Sequence, residues 1–102
     1  MTEICAAINA RPPHIITFYY AGDDIPGYRT VEPHMVAYNK RHNLALSAWF
    51  PGGATESGAN GWKEYLFESI TNVTIQKATF AGPRPGYNPT GGKTFHKVRC
   101  AI

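Results

Sequence analysis

Short segments of β-branched and aromatic residues, each bounded by turn-forming residues, are the feature that most limits how this chain folds. The segments HIITFYY, YRTVEPHMVAYN and LALSAWF are separated by AGDDIPG and KRHN, and two further segments follow at residues 62–67 and 73–77. Val, Ile, Thr and aromatic residues favour strands, whereas Gly, Pro, Asn and Asp favour the turns between them. Five strands at this spacing predict a small all-β barrel or sandwich.

A short helix is predicted ahead of these strands, from Thr2 to Ala10, with Thr2 as its N-cap. Pro12 and Pro13 end the helix, because proline removes a backbone donor and disfavours helix in the residue before it. Pro33, inside the second strand segment, also lacks the N–H that a strand ladder needs. We therefore expect an edge position or a β-bulge at Pro33.

Size and composition indicate one soluble domain. The chain has 102 residues with 43% hydrophobic residues and 17% charged residues, which suits a folded core. No run approaches the ~18 apolar residues of a membrane span, and the opening MTEICAAINARPP lacks the basic and apolar stretches of a secretory signal. A cytoplasmic location is predicted. Two cysteines, Cys5 and Cys100, are too few for a disulfide scaffold, so reduced thiols are expected, with a bridge between adjacent termini as the alternative.

Charge is distributed unevenly along the chain, whose net charge is +3. Through Glu68 there are five Lys or Arg residues against seven Asp or Glu residues, a balance of −2, and the remainder has five basic residues, no acidic one and a balance of +5. Such a basic end favours contact with phosphate or another anion, and a solvated tail is the alternative. Arg84, Tyr87, Lys93 and His96 combine cations with an aromatic face, which suits phosphates and bases.

The stretch GYNPTGGKT, residues 86–94, is similar to a phosphate-binding P-loop but does not fit that pattern. A P-loop has four residues between its first glycine and the Gly-Lys-Thr ending, whereas Gly86 lies one residue too early. No strand precedes the stretch, and the segment FHKVRCAI after it is too short and too β-like to be the helix that a P-loop opens. A glycine-rich turn that leads into a possible final strand, residues 95–102, is predicted instead.

Catalytic and metal-binding patterns are not found in the sequence. The histidines His14, His34, His42 and His96 have neither HxxxH nor HExxH spacing. The serines lack a GxSxG setting, and the paired carboxylates of Asp23 and Asp24 lie in a turn that favours Asp for local hydrogen bonding. We therefore predict neither an enzyme nor a metal site nor a cofactor.

The string Arg29-Thr-Val-Glu-Pro-His34, followed by Tyr38, offers a cation, a titratable ring and a phenol within one predicted strand. These side chains could line a polar groove. A half-exposed strand with a buried tyrosine is the alternative, and residue types by themselves favour it.

Several short motifs follow one another in a definite order along residues 3–78. They are Ala7-Ile8, then Ile16, Phe18 and Tyr20 in the form I-x-F-x-Y, then R-x-V-E-P from Arg29 to Pro33, then Leu46 and Ala48, and finally Glu68 and Ile70. This order resembles the WYL domain, which is found in many bacterial transcription regulators, including regulators of phage-defence systems. The name-giving tripeptide falls on Leu44-Ala45-Leu46, so only its leucine is present.

The resemblance implies a small, strongly bent Sm/SH3-like β-barrel of about five to six strands over residues 3–78, with residues 79–102 as a basic extension rich in Pro and Gly. It also implies a ligand-sensing module that binds nucleic acid or a nucleotide-like anion. Carried over to this chain, Arg29, His34 and Lys63 would contact phosphate, and Tyr38 would pack on a base or sugar. Leu66 and Ser69 stand where the family has two further arginines.

Two functions follow as expectations. The first is a sensory or accessory module that binds single-stranded nucleic acid or a nucleotide and acts through a protein partner, with Arg84, Tyr87 and Lys93 extending its groove. The second is a protein-interaction or oligomerisation module without a working anion site, which would use exposed strand edges and aromatic residues such as Trp49 and Trp62.

Overall fold

The computed structural model describes residues 1–52 and 60–102. Each of the predicted elements is present in it. They are helix α1 (Thr2–Asn9), strands β1 (His14–Tyr20), β2 (Gly27–Asn39), β3 (Leu44–Phe50) and β4 (Gly61–Leu66), a 3-10 turn (Phe67–Ser69), and strands β5 (Ile70–Thr79) and β6 (Phe95–Ala101). For the glycine-rich stretch PGGATESGANG, residues 51–61, the sequence predicts an exposed, flexible connection. It falls largely on residues 53–59, which lie outside the described residues.

All strand pairs are antiparallel, and the sheet has the order β4–β3–β2–β1–β5, with β6 paired to β2. The prediction of a mainly β domain with a short N-terminal helix is therefore confirmed. Within the described residues, the end strands β4 and β5 do not pair with each other, so the sheet is not closed and the expected barrel is not confirmed.

Strand β2 is the longest strand and links the two parts of the sheet. Its first half pairs with β1, where Ile16 lies opposite Val31. In its second half Val36 lies opposite both Leu46 of β3 and Cys100 of β6, so β2 is flanked on both sides there. The β2–β3 register shifts between Pro33 and Met35, which confirms the β-bulge expected at a residue without a backbone N–H.

The core lies between α1 and one face of the sheet. Three aromatic rings form its centre, with Phe18 and Tyr20 each meeting the ring of Tyr65 edge-on at 5.0 Å between centroids. The Tyr20 hydroxyl accepts a hydrogen bond from the Leu66 backbone N–H at 3.0 Å, and burial raises the pKa of Tyr20. Aliphatic residues fill the space around the rings, among them Ile4, Ile8, Ile16, Val31, Val36 and Leu46.

Two local predictions were wrong. Met1 rather than Thr2 is at the N-cap of α1, and no side chain caps the helix. Cys5 and Cys100 are joined in a disulfide, with their Cα atoms 5.8 Å apart, and are not reduced thiols. Because α1 packs against β6, the fold brings together two cysteines that are 95 residues apart in sequence.

Disulfides are typical of oxidising compartments, so the bridge gives no support to the predicted cytoplasmic location, which is not confirmed. The described residues contain no helix that is long and apolar enough to cross a membrane.

Candidate anion-binding site

Residues 80–94, the part of the predicted basic extension that precedes β6, fold back over the sheet. We call this part the extension. It leaves β5 with a hydrogen bond from the Phe80 N–H to the Pro13 carbonyl at 3.0 Å. The indole N–H of Trp62 on β4 then donates to the Pro85 carbonyl at 2.9 Å. The hydroxyl of Tyr87 lies 3.3 Å from the carbonyl oxygens of His34 and Ile102. The extension is therefore attached to the sheet along much of its length.

His34 of β2 is fully buried beneath the extension, where three aromatic side chains surround its ring. Phe80 stacks on the imidazole at 5.3 Å between centroids, and the rings of Trp62 and Tyr87 meet it edge-on at 4.7 and 5.2 Å. Burial of this kind disfavours a charged ring.

Both nitrogens of the His34 ring have backbone partners. Nδ1 lies 2.8 Å from the Glu32 carbonyl, which can only accept, so Nδ1 carries the proton. Nε2 accepts the Arg84 backbone N–H at 3.1 Å. Burial lowers the pKa of His34, and the charge of Arg84 lowers it further, while the carbonyl and carboxylate of Glu32 oppose this shift. The neutral ring is thus the form that holds the extension.

Arg84 anchors the extension through its side chain as well. Its Nε and Nη2 atoms donate to the two carboxylate oxygens of Glu32, each at 2.8 Å. The guanidinium also lies over the ring of Trp49, 5.4 Å from the centroid. Glu32 is almost fully buried, and a paired, planar contact of this kind is among the strongest charge-assisted hydrogen bonds. Arg84, predicted to contact a ligand, is bound to Glu32 in this structure.

A cavity of about 430 Å³ lies between the extension and strands β3 and β4. It brings together three of the predicted site residues, Lys63, Tyr87 and Lys93, which belong to separate parts of the chain. The volume is within the range of small-molecule sites, roughly 300–1,000 Å³. Trp62, Glu64 and Phe95 also line it, and the rings of Trp62 and Tyr87 are nearly parallel, 6.1 Å apart. Lys63 borders the cavity from β4, but its ammonium lies over the Phe50 ring, 6.0 Å from the centroid, on the face of the strand opposite to Trp62 and Glu64. The cavity thus combines one cation, Lys93, with an aromatic wall.

The turn Gly91–Thr94 forms one side of the cavity. Gly91 and Gly92 have φ values of 86° and 57°, and the Thr94 N–H donates to the Gly91 carbonyl at 3.2 Å. A Cβ atom on Gly91 would lie 2.6 Å from the Phe95 carbonyl oxygen, so only glycine fits there. The backbone N–H groups of Gly92 and Lys93 donate to no acceptor within residues 1–52 and 60–102. Strand β6 follows the turn directly, in agreement with the predicted turn and final strand.

A second cavity of about 420 Å³ adjoins the first, and both are lined by Glu64 and Thr94. Lys40 and Arg41 of the β2–β3 hairpin line the second cavity. Glu64 accepts a hydrogen bond from the Asn39 side chain at 2.7 Å and is the acidic residue that the two cavities share. The sequence pattern predicts only a turn for Lys40 and Arg41, because their proximity to Glu64 and Thr94 depends on the tertiary fold.

Four predicted site residues line neither cavity, namely Arg29, His34, Tyr38 and Arg84. Arg29 is buried on β2, where its guanidinium contacts the Ile25 carbonyl and the Asp23 carboxylate in the β1–β2 turn. Tyr38 lies further along β2, half-buried, with the Arg99 guanidinium over its ring at 5.4 Å. His34 contacts Tyr87 but does not line the cavity. The seven predicted residues are therefore divided between one cavity and three other surroundings.

Among the described residues, no group of three or more His, Cys, Asp or Glu side chains is arranged to hold a metal ion. Comparisons with protein-family models, curated proteins and solved structures find no match to this chain.

Proposed function

We propose that this domain binds a nucleotide-like anion, or a nucleotide of a single-stranded nucleic acid, in the cavity between the extension and strands β3 and β4, and that it acts through a protein partner. The observation that carries the proposal is the meeting of Trp62, Tyr87 and Lys93 in one cavity. The resemblance to the WYL domain, a ligand-sensing module with a strongly bent barrel, agrees with this function.

The lining suits such a ligand chemically. Lys93 supplies positive charge for a phosphate, and the amides of Gly92 and Lys93 add donors of the kind that form anion-binding turns. Trp62 and Tyr87 offer aromatic surface for a base, and stacking of a base on an aromatic ring contributes about 1–3 kcal/mol. Glu64 opposes the approach of an anion, so we expect the phosphate to lie nearer to Lys93 than to Glu64.

The direct test is fluorescence anisotropy with labelled short single-stranded RNA, single-stranded DNA and a mononucleotide, at low and at physiological salt. We expect binding that weakens as salt rises, because a cation–phosphate contact releases counterions. Lys93→Gln should weaken it by about threefold or more. Lys77→Gln is the matched control, since Lys77 is exposed on β5 and lies outside both cavities.

Binding that is absent at low salt, that is independent of salt, or that falls equally in the Lys77→Gln variant would contradict this function.

A second function, protein interaction, is favoured by a separate observation. Ile25 and Tyr28 in the β1–β2 region and Ile75 of β5 are exposed apolar side chains, with exposed fractions of 59%, 55% and 40%. Strand β5 pairs with β1, and its other edge has no strand partner within the described residues, so it could add a strand from a partner. Light scattering separates the two functions: a strict monomer that binds oligonucleotide contradicts the interaction module.

A further inference from the structure

The segment Pro83–Tyr87 lies on the sheet in the way that a bound peptide lies on a recognition domain. It contains no helix or strand, and its contacts to the sheet come from four residues that we call the docking surface, namely Glu32, His34, Trp49 and Trp62. These contacts are the Arg84–Glu32 pair, the Arg84 guanidinium over Trp49, and the Trp62 hydrogen bond to the Pro85 carbonyl. His34 accepts the Arg84 N–H and contacts the Tyr87 ring.

We propose that the docking surface recognises a Pro-Arg-Pro peptide of a partner protein, and that the chain's own segment occupies this surface in the absence of the partner. The sequence of the chain's own segment, Pro83–Tyr87, therefore indicates which peptide sequence the docking surface would bind in a partner. This inference goes beyond the anion site, because none of its contacts involves Lys63 or Lys93.

The conformation of the segment favours recognition. Proline restricts its own φ to about −65°, and the residue before a proline is pushed towards extended conformations. The Tyr87 N–H donates to the Arg84 carbonyl at 3.2 Å, so Arg84 to Tyr87 form a turn with Pro85 and Gly86 at its centre. Pro85 presets φ at the first central position, and Gly86 supplies the positive φ of 91° at the second. A turn that its own residues favour loses little conformational entropy on binding, and Trp49 and Trp62 supply the aromatic surface that it contacts.

Three contacts give the surface its specificity. The planar fork of an arginine matches the two oxygens of Glu32, and lysine cannot reproduce this geometry. Glu32 is 7% exposed in its side chain, so its charge is aimed at one partner position. A Cβ atom on Gly86 would lie 3.1 Å from Trp62 Nε1, and Gly86 has a φ of 91°, so the residue after the second proline must be glycine. The partner motif is therefore Pro-Arg-Pro-Gly followed by an aromatic residue.

The intramolecular segment acts as a competitor. A short tether presents its segment at an effective concentration of about 1 mM or more, so a partner peptide has to displace it. Residues 80–94 lie between β5 and β6 and can leave the sheet without the breaking of a strand ladder. Gly86 and Tyr87 line the anion cavity, so on the proposed function the peptide and the anion weaken each other's binding reciprocally.

The test uses the full-length chain and a fluorescein-labelled peptide of residues 81–89, AGPRPGYNP. We expect Arg84→Ala protein to bind this peptide at least about tenfold more tightly than wild type, because the competing segment has lost its anchor. Adding Glu32→Gln to that variant should remove the gain. A peptide with alanine in place of its arginine is the matched control and should bind none of the proteins. The indole N–H signal of Trp62 in NMR spectra should move on binding of the first peptide.

Circular dichroism verifies that each variant is folded, and Arg84→Glu, which repels Glu32, serves as a second variant with the same expected gain. Equal peptide affinity of wild type and both variants overturns the proposal, as does a gain that survives Glu32→Gln or that the control peptide shares. Dimers of the wild-type chain in light scattering, dissociated by the peptide, would mean that the occupant is a second copy and would likewise overturn it. Salt-dependent anion binding is measured separately, so either proposal can fail alone.

Discussion

The carboxylate of Glu32 receives two hydrogen bonds from Arg84, each 2.8 Å long, across 52 residues of sequence. This pair connects β2 with the extension. Gly86 and Tyr87, which follow Arg84 in sequence, line the candidate cavity. The position of the extension, and with it the shape of the cavity, therefore depends on a pair of residues that do not line the cavity themselves.

Loss of this pair should loosen the extension. We expect Glu32→Gln to raise hydrogen exchange in residues 80–94, because the neutral amide cannot form the two charge-assisted hydrogen bonds with Arg84. Exchange in β1, whose core contacts do not involve Glu32, serves as the internal control. Unchanged protection of residues 80–94, measured by mass spectrometry, would show that the other contacts are sufficient to hold the extension.

Acid should destabilise the domain through His34. Its folded pKa is lowered from the ordinary value of 6.5, mainly by burial, so the unfolded chain binds more protons than the folded chain as pH falls below about 6.5. The contribution of the neutral ring is fully present above the unfolded pKa and is lost as pH falls through the folded one. Each pH unit within this window costs at most about 1.4 kcal/mol. A protonated Nε2 would also face the Arg84 N–H as donor against donor.

The measurement is urea unfolding of wild type and His34→Gln between pH 8 and pH 5. The charged or titratable groups that face the ring are Glu32, Arg84 and Tyr87, and all three remain in the variant. We expect the free energy of unfolding of wild type to fall more steeply with acid than that of His34→Gln. Parallel curves for the two proteins would exclude His34 as the titrating group.

Gly91 should tolerate substitution less well than Gly82, although both have positive φ values. An alanine Cβ at Gly91 would lie 2.6 Å from a backbone oxygen of Phe95, whereas at Gly82 nothing lies within 4 Å. Gly82→Ala therefore has backbone strain alone, about 1 kcal/mol, and Gly91→Ala adds a steric clash that we expect to bring the loss to about 2 kcal/mol or more. Equal losses in urea unfolding would mean that the turn relaxes around the new side chain.

The strands were predictable because their information is local. HIITFYY and LALSAWF became β1 and β3 with the predicted bounds, and the bulge at Pro33 follows from a missing N–H. The route of the extension was not predictable, because Arg84 meets Glu32 and Trp62 meets Pro85 only after the sheet has formed. The sequence pattern predicted Arg29 and Tyr38 as site residues, but both lie away from the cavity. It did not predict Lys40 and Arg41, which line the adjoining cavity. Charge and aromatic content predict a site for an anion, but which residues line the cavity depends on contacts between residues that are distant in sequence.

The disulfide between Cys5 and Cys100 should contribute a large part of the domain's stability. It closes a loop of 95 residues and joins α1 to β6. In the chain-entropy model, closing a loop of this size lowers the entropy of the unfolded chain and so raises its free energy by about 4–5 kcal/mol. We expect the Cys5→Ala/Cys100→Ala double variant to lose about 2–5 kcal/mol of unfolding free energy in urea. Wild type treated with a reductant should show the same loss, and the reductant should have no effect on the double variant. A mass unchanged by alkylation without reductant verifies the bridge, and full alkylation of the native protein would contradict it.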